Sequence, residues 1–439
     1  MKKLEEFSHI ADALVKKLTE QINTEVKSLF EVEKELVSFV NRIGNLLLSE
    51  ILEGVKEPTQ GNTLYVEGKK AVYKQMENLR IRNRFGDDIV KKRRTYYMVE
   101  EKRGYYPLDE KLGMDVCRRF SPLMTYLFSF YGGCEAYTPA AKQLSAALGF
   151  PVSSTAVQNN TETTGKRLDH LPIKAIPDEK QNEECDLMIV EIDGTMSPRI
   201  HEEEGITGRE SLKQPTEYKE CNIIAIEKRN KGVSTDRWVG GHYGKRIGFD
   251  RYVGQTGIKM GQLNAEHVVF IADGAKHNWD IQQTNFPKAV EILDFYHALE
   301  HLGEFCDLYK NPQAGKQAFA RWRNMLYEGK ILQVLEDMKE IVYKKVSSPD
   351  EAVKHINYFQ NNMSRMEYDM YREKGYPIGS GLVEGQCKLV VNRRFKGNGM
   401  RWKAADNDAV LDVRLAILNN TLDTSFKPKP RKFQFVSGL

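Results

Sequence analysis

Three carboxylates stand where a chain would keep them for chemistry rather than packing. Asp193 ends the apolar run LMIVEI (187–192) and is followed by Gly194-Thr195. Asp273 ends VVFIA (268–272) and is followed by Gly274-Ala275. A single Asp-Gly pair normally marks a turn. Two matching apolar strands, each ending in Asp-Gly-small, point instead to carboxylates freed at strand ends to hold a cation. Glu384 lies in YPIGSGLVEGQCKLVV (376–391), where a Gly-Ser-Gly loop opens a helix with Glu384 in its first turn and Lys388 one turn on. Such an Asp, Asp, Glu set can hold two Mg²⁺ ions about 4 Å apart, with Mn²⁺ as a substitute, one serving the attacking and one the leaving oxygen. Phosphodiester chemistry needs that arrangement because negative charge develops on oxygens that no protein donor matches as strongly.

The residues after Glu384 fit a polyanion. Lys388, Arg393, Arg394, Lys396 and Arg401 follow within one short basic segment and are expected to receive the phosphate backbone. A simple ion pair of Lys388 with Glu384 is the other reading of that lysine. Trp402, beside Arg401, is expected to stack on an exposed base, the alternative being the core position usual for tryptophan. His297, Glu300 and His301 spell HxxEH, the inverted zinc-peptidase pattern. A peptidase needs a further downstream ligand, and no convincing one is found in the sequence.

These residues need elements to carry them. Residues 1–60 form a helical N-terminal region, one long amphipathic helix or two in series ending near Gly54 and Pro58 and available for dimerisation. Residues 61–120 alternate basic and β-prone residues and read as a hairpin or ribbon without cysteines to bind zinc, apart from Cys117 at its end. In 121–171 one helix stops at Gly149 and a second is capped by Ser153, the pattern of a helix-turn-helix whose second helix enters the major groove. Ser153, Gln158 and Asn159 are its candidate DNA contacts. A polar linker follows, then strands alternating with helices over 185–295, an α/β core. Residues 296–376 are helical in period, an insertion inside the core, since the Asp273–Glu384 separation far exceeds the roughly 30 residues of a βαβ unit. Residues 377–439 supply the core's final helix and a basic, loosely ending tail.

Composition narrows the class. The chain has 439 residues, 41% apolar and 29% charged, which fits a globular protein and excludes a mainly disordered one. Its net charge is only +4, but from Gly385 onward eleven Lys and Arg face four Asp, and Lys91-Lys92-Arg93-Arg94 forms a second basic block. Clustered positive charge on a near-neutral chain suggests a polyanionic partner. Solvated faces are the plain alternative. The six cysteines are scattered with no CxxC, as expected in a reducing compartment. With no apolar leader in MKKLEEF and no apolar run beyond Leu123–Tyr131, no membrane partner is expected, and the cytoplasm is the expected location.

IDGT (192–195), ADGA (272–275), DFYHALEHL (294–302), PIGSGLVE (377–384) and GMRW (399–402) together resemble bacterial insertion-sequence transposases of the Kra type, which are DDE recombinases. The resemblance runs from about residue 90 to 420. It implies an RNase H-like catalytic core with an all-helical insertion, preceded by helical and helix-turn-helix DNA-binding regions, in which Asp193, Asp273 and Glu384 bind the metals. The Asp294-x-x-His297 spacing resembles a signature of several such families and implies that His297 serves the site as phosphate contact or proton shuttle, with His301 structural. The activity implied is binding of terminal inverted repeats, hydrolysis at the element end, and joining of the freed 3′-hydroxyl to target DNA. The working form would be a homodimer or higher oligomer on DNA, associated with the bacterial nucleoid. Members often carry zinc-ribbon cysteines near the tyrosine-rich hairpin; residues 96–106 here have none. A DNA-binding descendant that has lost catalysis is the second reading.

Overall fold

The computed structural model describes residues 2–24, 26–114, 119–168, 176–203, 206, 210, 212–243, 246–426 and 433–435. Residues 171–175 of the expected linker, Cys117, and the tail residues Lys427, Lys429, Arg431 and Lys432 lie outside them. The chain divides into two compact units, Met1–Thr164 with Leu422–Leu439, and Gly165–Thr421.

In the first unit, α1 (Lys2–Asn23) and α2 (Leu29–Gly54) are two helices in series. Ser28 begins the second with a capping box: its hydroxyl accepts from the Glu31 N–H, and the Glu31 carboxylate accepts from the Ser28 N–H at 2.9 Å. Strands β1 (Thr63–Val66), β2 (Lys69–Arg82), β3 (Asp88–Met98) and β4 (Arg103–Tyr105) pair antiparallel in that order, and a strand near the carboxyl end, Phe433–Phe435, pairs with β1. The chain's end is therefore tied back to this sheet. Leu64, Val66, Ala71, Tyr96, Met98 and Tyr105 form a buried cluster on it. The basic block on β3 is mostly consumed by folding. Lys91 donates to the carbonyls of Glu53 and Val55, Arg93 pairs with Asp109 and lies 3.9 Å over the Tyr106 ring, and Arg94 lies 4.0 Å over Tyr73. Only Lys92 of the four is exposed.

After the short helix α3 (Pro107–Lys111) come α4 (Pro122–Cys134), α5 (Tyr137–Leu148) and α6 (Ser154–Leu168). They close around Met124, Phe128, Ala140, Leu144, Leu148 and Val157. Gly149 ends α5 at φ +76°, a left-handed conformation that glycine adopts without strain.

The second unit is built on a five-stranded mixed sheet, flanked by helices. β5 (Cys185–Ile200), β6 (Thr216–Asn230) and β7 (Val233–Tyr243) form an antiparallel meander. After α7 (Arg246–Lys259), β8 (Ala265–Ala272) pairs parallel to β5; after α8 (Lys276–Asn285), β9 (Val290–Leu293) pairs parallel to β8. The spatial order is β7-β6-β5-β8-β9. Val269 to Ala272 are all fully buried, as the unbroken apolar run of a parallel strand covered on both faces requires. Helices α9 (Phe295–Asp307), α10 (Pro312–Tyr327), α11 (Ile331–Lys345), α12 (Pro349–Asn362) and α13 (Tyr368–Glu373) follow, and their buried faces share one core with the sheet. α14 (Gly381–Cys387) runs on through a π-helical stretch, Lys388–Asn392, into a last turn, Arg393–Phe395. The final helix, α15 (Ala404–Leu418), buries Ala409 through Ala416. It is a core element within the 377–439 segment expected to supply a core helix and a basic tail.

Candidate active site

Asp193 does not end its strand. β5 continues to Ile200, and Gly194 is a strand residue paired with Asn222, not a turn. What ends there is the parallel partner: β8 stops at Ala272 and its pairing with β5 reaches only Glu191↔Ile271. Two steps beyond that register, Asp193 on β5 comes level with Asp273. Both carboxylates thus stand at the carboxyl end of a parallel strand pair, the edge at which open α/β sheets receive ligands.

The local geometry fixes each one. Gly194 N–H donates to Asp193 Oδ1 at 2.7 Å. Asp273 Oδ1 accepts from Ala275 N–H at 3.0 Å and Asn278 Nδ2 at 2.6 Å, at the start of α8. Gly274 must be glycine because a Cβ would run into the Tyr358 ring. Burial, the largest influence, pushes the Asp193 carboxyl above its ordinary range; the Asp273 charge adds to this, while Gly194, His297 and Cys387 oppose it. On His297, burial alone would lower the imidazole, but Asp294, Glu300, Asp193 and Asp273 together hold it above its ordinary value. Its Nδ1 lies 3.1 Å from Glu300 Oε2. Asp193, Asp273 and His297 therefore share one site.

Glu384 arrives on α14, which is laid against β5 by two contacts. The Glu191 carboxylate accepts the Val383 N–H at 2.8 Å, and Cys387 Sγ lies 3.6 Å from Asp193 Oδ2. Residues three apart share a helix face, so Glu384 rides on the face that Cys387 turns to Asp193. Its own ionic partner is Lys388 at 3.6 Å, the plain i, i+4 pair. The π-helical stretch directly after it is a feature that recurs at functional sites.

Two buried acids organise this region. Asp294, completely buried, caps α9 through Oδ1, which accepts from Tyr296 N–H at 2.6 Å and His297 N–H at 3.1 Å. Its Oδ2 accepts the Ser380 N–H at 2.6 Å and the Ser380 hydroxyl, tying the Gly-Ser-Gly loop to α9. Glu191 is 2% exposed, and burial drives its carboxyl up to about 8 against the pull of the Val383 N–H. Sequence reasoning noted Asp294 only for its spacing to His297 and missed Glu191. A lone acid inside the run LMIVEI was the available signal.

The basic segment separates into exposed and buried members. Lys388 and Arg393 are exposed. Lys396, also exposed, donates to Thr195 Oγ1 at 2.8 Å. Arg401 clasps the carbonyls of Gln214 and Leu212 at 3.0 and 2.9 Å. Arg394 is 1% exposed and lies 4.7 Å over the Trp402 ring, so it cannot meet a phosphate as placed. Trp402 is 8% exposed, packs on Phe395, and donates from Nε1 to the Phe395 carbonyl at 3.2 Å. It is a core residue, not a base-stacking platform. The cause is local: the 402 carbonyl accepts the Ile200 N–H at 2.8 Å, stitching the segment to the end of β5.

In the three-helix region Ser153 Oγ accepts the Ala156 N–H at 3.2 Å and caps α6. Asn159 is exposed, whereas Gln158 is half-buried and donates to Glu162 at 3.0 Å. The HxxEH pair splits: His297 belongs to the acidic site, and His301 faces His355.

The donor set suits a hard divalent cation. It offers oxygens on adjacent strands, and a bound cation would offset the burial, and the smaller push from Asp273, that raise the Asp193 carboxyl. Asp193 and Asp273 would hold Mg²⁺, with Glu384 as the third carboxylate.

The chain is thus a mixed α/β protein with a carboxylate-lined strand edge. It belongs to the uncharacterised protein family UPF0236, whose family pattern matches residues 22–425. No curated protein matches it in sequence. Among solved structures, it is similar to that described as the Drosophila P element transposase strand transfer complex, at 10% identity over 68% of this chain and 92% of that one, with a TM-score of 0.38. Among the described residues, no helix is long and apolar enough to cross a membrane.

Proposed function

We propose that this chain is a DNA transposase of the DDE class, of the insertion-sequence type that its motifs resemble, with Asp193, Asp273 and Glu384 as its metal-binding carboxylates. The observation that carries the reading is the β5–β8 register, which brings Asp193 level with Asp273 just past the point where the parallel pairing of these strands ends, while α14 packs on that edge. The strand order, an antiparallel meander followed by two parallel strands with helical crossovers, supports an RNase H-like core.

Bound Mg²⁺ would supply Lewis acidity for exchange at phosphorus. His297, kept above its ordinary value by four carboxylates, offers an N–H to a phosphate oxygen or a proton to a departing one. Asp294 and Glu191 are positioning residues, holding α9 and α14 so that His297 and Glu384 keep their places. Lys388, Arg393 and Lys396, exposed beside the site, suit backbone phosphates. Asn159 on α6 suits base-edge contact in a major groove.

The test is to incubate the full chain with duplexes carrying the DNA that flanks its own gene, with Mg²⁺ or with chelator. Strand breaks at the element end and joining to target DNA are expected with Mg²⁺ only. Asp193→Asn, Asp273→Asn and Glu384→Gln should each abolish both steps and spare end binding, and their losses should not add. Specific binding by the wild type without Mg²⁺-dependent breakage would instead identify a descendant that has lost catalysis. Near-normal strand transfer by Glu384→Gln would remove Glu384 from the site.

A further inference from the structure

A second group of metal-ligating side chains lies in the helical segment, apart from the three carboxylates. His301 and Glu304 are one turn apart on α9, and His355 projects from α12. Their ligand atoms form a compact triangle: His301 Nδ1 to His355 Nδ1 is 3.2 Å, His301 Nδ1 to Glu304 Oε2 is 3.6 Å, and His355 Nδ1 to Glu304 Oε2 is 3.8 Å. The point equidistant from the corners of such a triangle lies about 2.1 Å from each, the length of a Zn–N or Zn–O bond. Two imidazoles with the same ring nitrogen face to face can share at most one proton between those atoms; a cation satisfies both lone pairs at once. The rings are also held in place. His355 is 9% exposed, and Tyr358 stacks on His301 with centroids 3.7 Å apart and planes at 29°. Asp307, Glu351 and Lys354 line the same cleft, and water would fill the remaining coordination position.

We propose that His301, Glu304 and His355 form a zinc site that clamps α9 to α12. Two neutral imidazoles with carboxylate suit Zn²⁺ better than Mg²⁺, which prefers oxygen donors throughout. The clamp reaches the acidic site through one side chain: Tyr358, stacked on His301, is also the ring that packs against Gly274 beside Asp273. Zinc here would steady the turn that presents Asp273. It also gives His301, the last residue of the HxxEH run, a role without a peptidase, because its partners are Glu304 and His355, the latter 54 residues beyond it.

The test is a titration of the full chain, stripped with chelator, with Zn²⁺ alone against a competing zinc indicator and without DNA. It is run in the Asp193→Asn/Asp273→Asn background so that zinc held by the acidic site does not count. One equivalent of zinc should still bind. His355→Gln or His301→Gln should weaken it by at least about 100-fold, the upper end of what an outer-shell change costs a metal site. Glu304→Gln, at an exposed position that leaves folding undisturbed, should weaken it by at least about tenfold. Co²⁺ in the same site should give the strong visible absorption of a four-coordinate ion, lost with His355→Gln. Absence of zinc binding in the Asp193→Asn/Asp273→Asn chain, or equal affinity in the Glu304→Gln chain, would overturn the proposal and leave the transposase reading untouched.

Discussion

Replacing Asp294 should damage the protein out of proportion to one side chain. The carboxylate is completely buried and accepts four hydrogen bonds, two from the start of α9 and two from Ser380. Loss of a helix cap costs about 1 kcal/mol. Each buried donor left without an acceptor costs about 1–3 kcal/mol, and Ser380 is itself only 3% exposed. Asp294→Ala should therefore lower stability by about 4 kcal/mol in total, the terms being partly shared. Asp294→Asn can keep the cap through its amide oxygen but turns an NH₂ toward the Ser380 N–H, so about 2 kcal/mol is expected. Ser380→Ala removes the hydroxyl alone and should cost about 1 kcal/mol. The double change Asp294→Ala/Ser380→Ala should cost less than the two singles together, because the hydroxyl no longer needs an acceptor. Urea unfolding with a constant slope measures each value. In parallel, Asp294→Asn should reduce DNA cleavage at temperatures where it remains folded, since the loop that leads into the Glu384 helix loses its tether. An Asp294→Ala chain within 1 kcal/mol of wild type, or a strictly additive cycle, would refute the claim that this carboxylate joins α9 to α14.

Glu191 gives a pH signature in metal-free buffer. Its carboxyl is raised from 4.5 to about 8, so the unfolded chain binds fewer protons than the folded one across that window and stability should fall as pH rises through it. At pH 7 the penalty is about 3 kcal/mol, and Glu191→Gln should remove both the penalty and the slope; an unchanged slope would show Glu191 to be ionised in the fold. Arg393→Ala should reduce the slope of log affinity against log salt by about 0.9 without loss of stability. Arg394→Ala should instead lower the unfolding midpoint and leave that slope alone, and the opposite pattern would reverse the two assignments. Asn159→Ala should lower preference for the element's end over random duplex in a binding competition, with Gln158→Ala weaker because that side chain is engaged by Glu162; equal losses on both duplexes would exclude base readout by α6.

Much of the site could be read from residue types because its signals were local. Apolar runs ending in Asp-Gly marked the two strands, the Gly-Ser-Gly loop marked the start of α14, and Gly149 with Ser153 marked the bend between α5 and α6. What could not be read was which charges the fold would consume. Arg394 and Trp402 look like a basic, aromatic DNA grip when written as a sequence, yet they pack against each other. Nothing in the order of letters says that the 402 carbonyl will accept from Ile200, two hundred residues earlier, and so turn that segment inward. The same holds for β3, where Arg93 and Arg94 spend their charge on Asp109 and on tyrosine faces. Local composition reports charge; only long-range pairing reports whether that charge reaches solvent.

The same limit explains Asp193. Its glycine neighbour suggests a turn, but Gly194 is an ordinary strand residue paired with Asn222. The carboxylate becomes available not because its own strand stops but because the neighbouring parallel strand does. That geometry follows from register, which is set by pairing across some eighty residues and leaves no local trace. It also explains why a buried glutamate sits two residues earlier. Glu191 is the last β5 residue whose partner on β8 is still in the ladder, so its side chain enters the packed layer under α14 and accepts a helix N–H instead of meeting solvent. Two acids on one face of one strand, two residues apart, thus take opposite parts. One is buried, its carboxyl raised by that burial, and accepts a helix N–H; the other stands at the opening the shorter strand leaves.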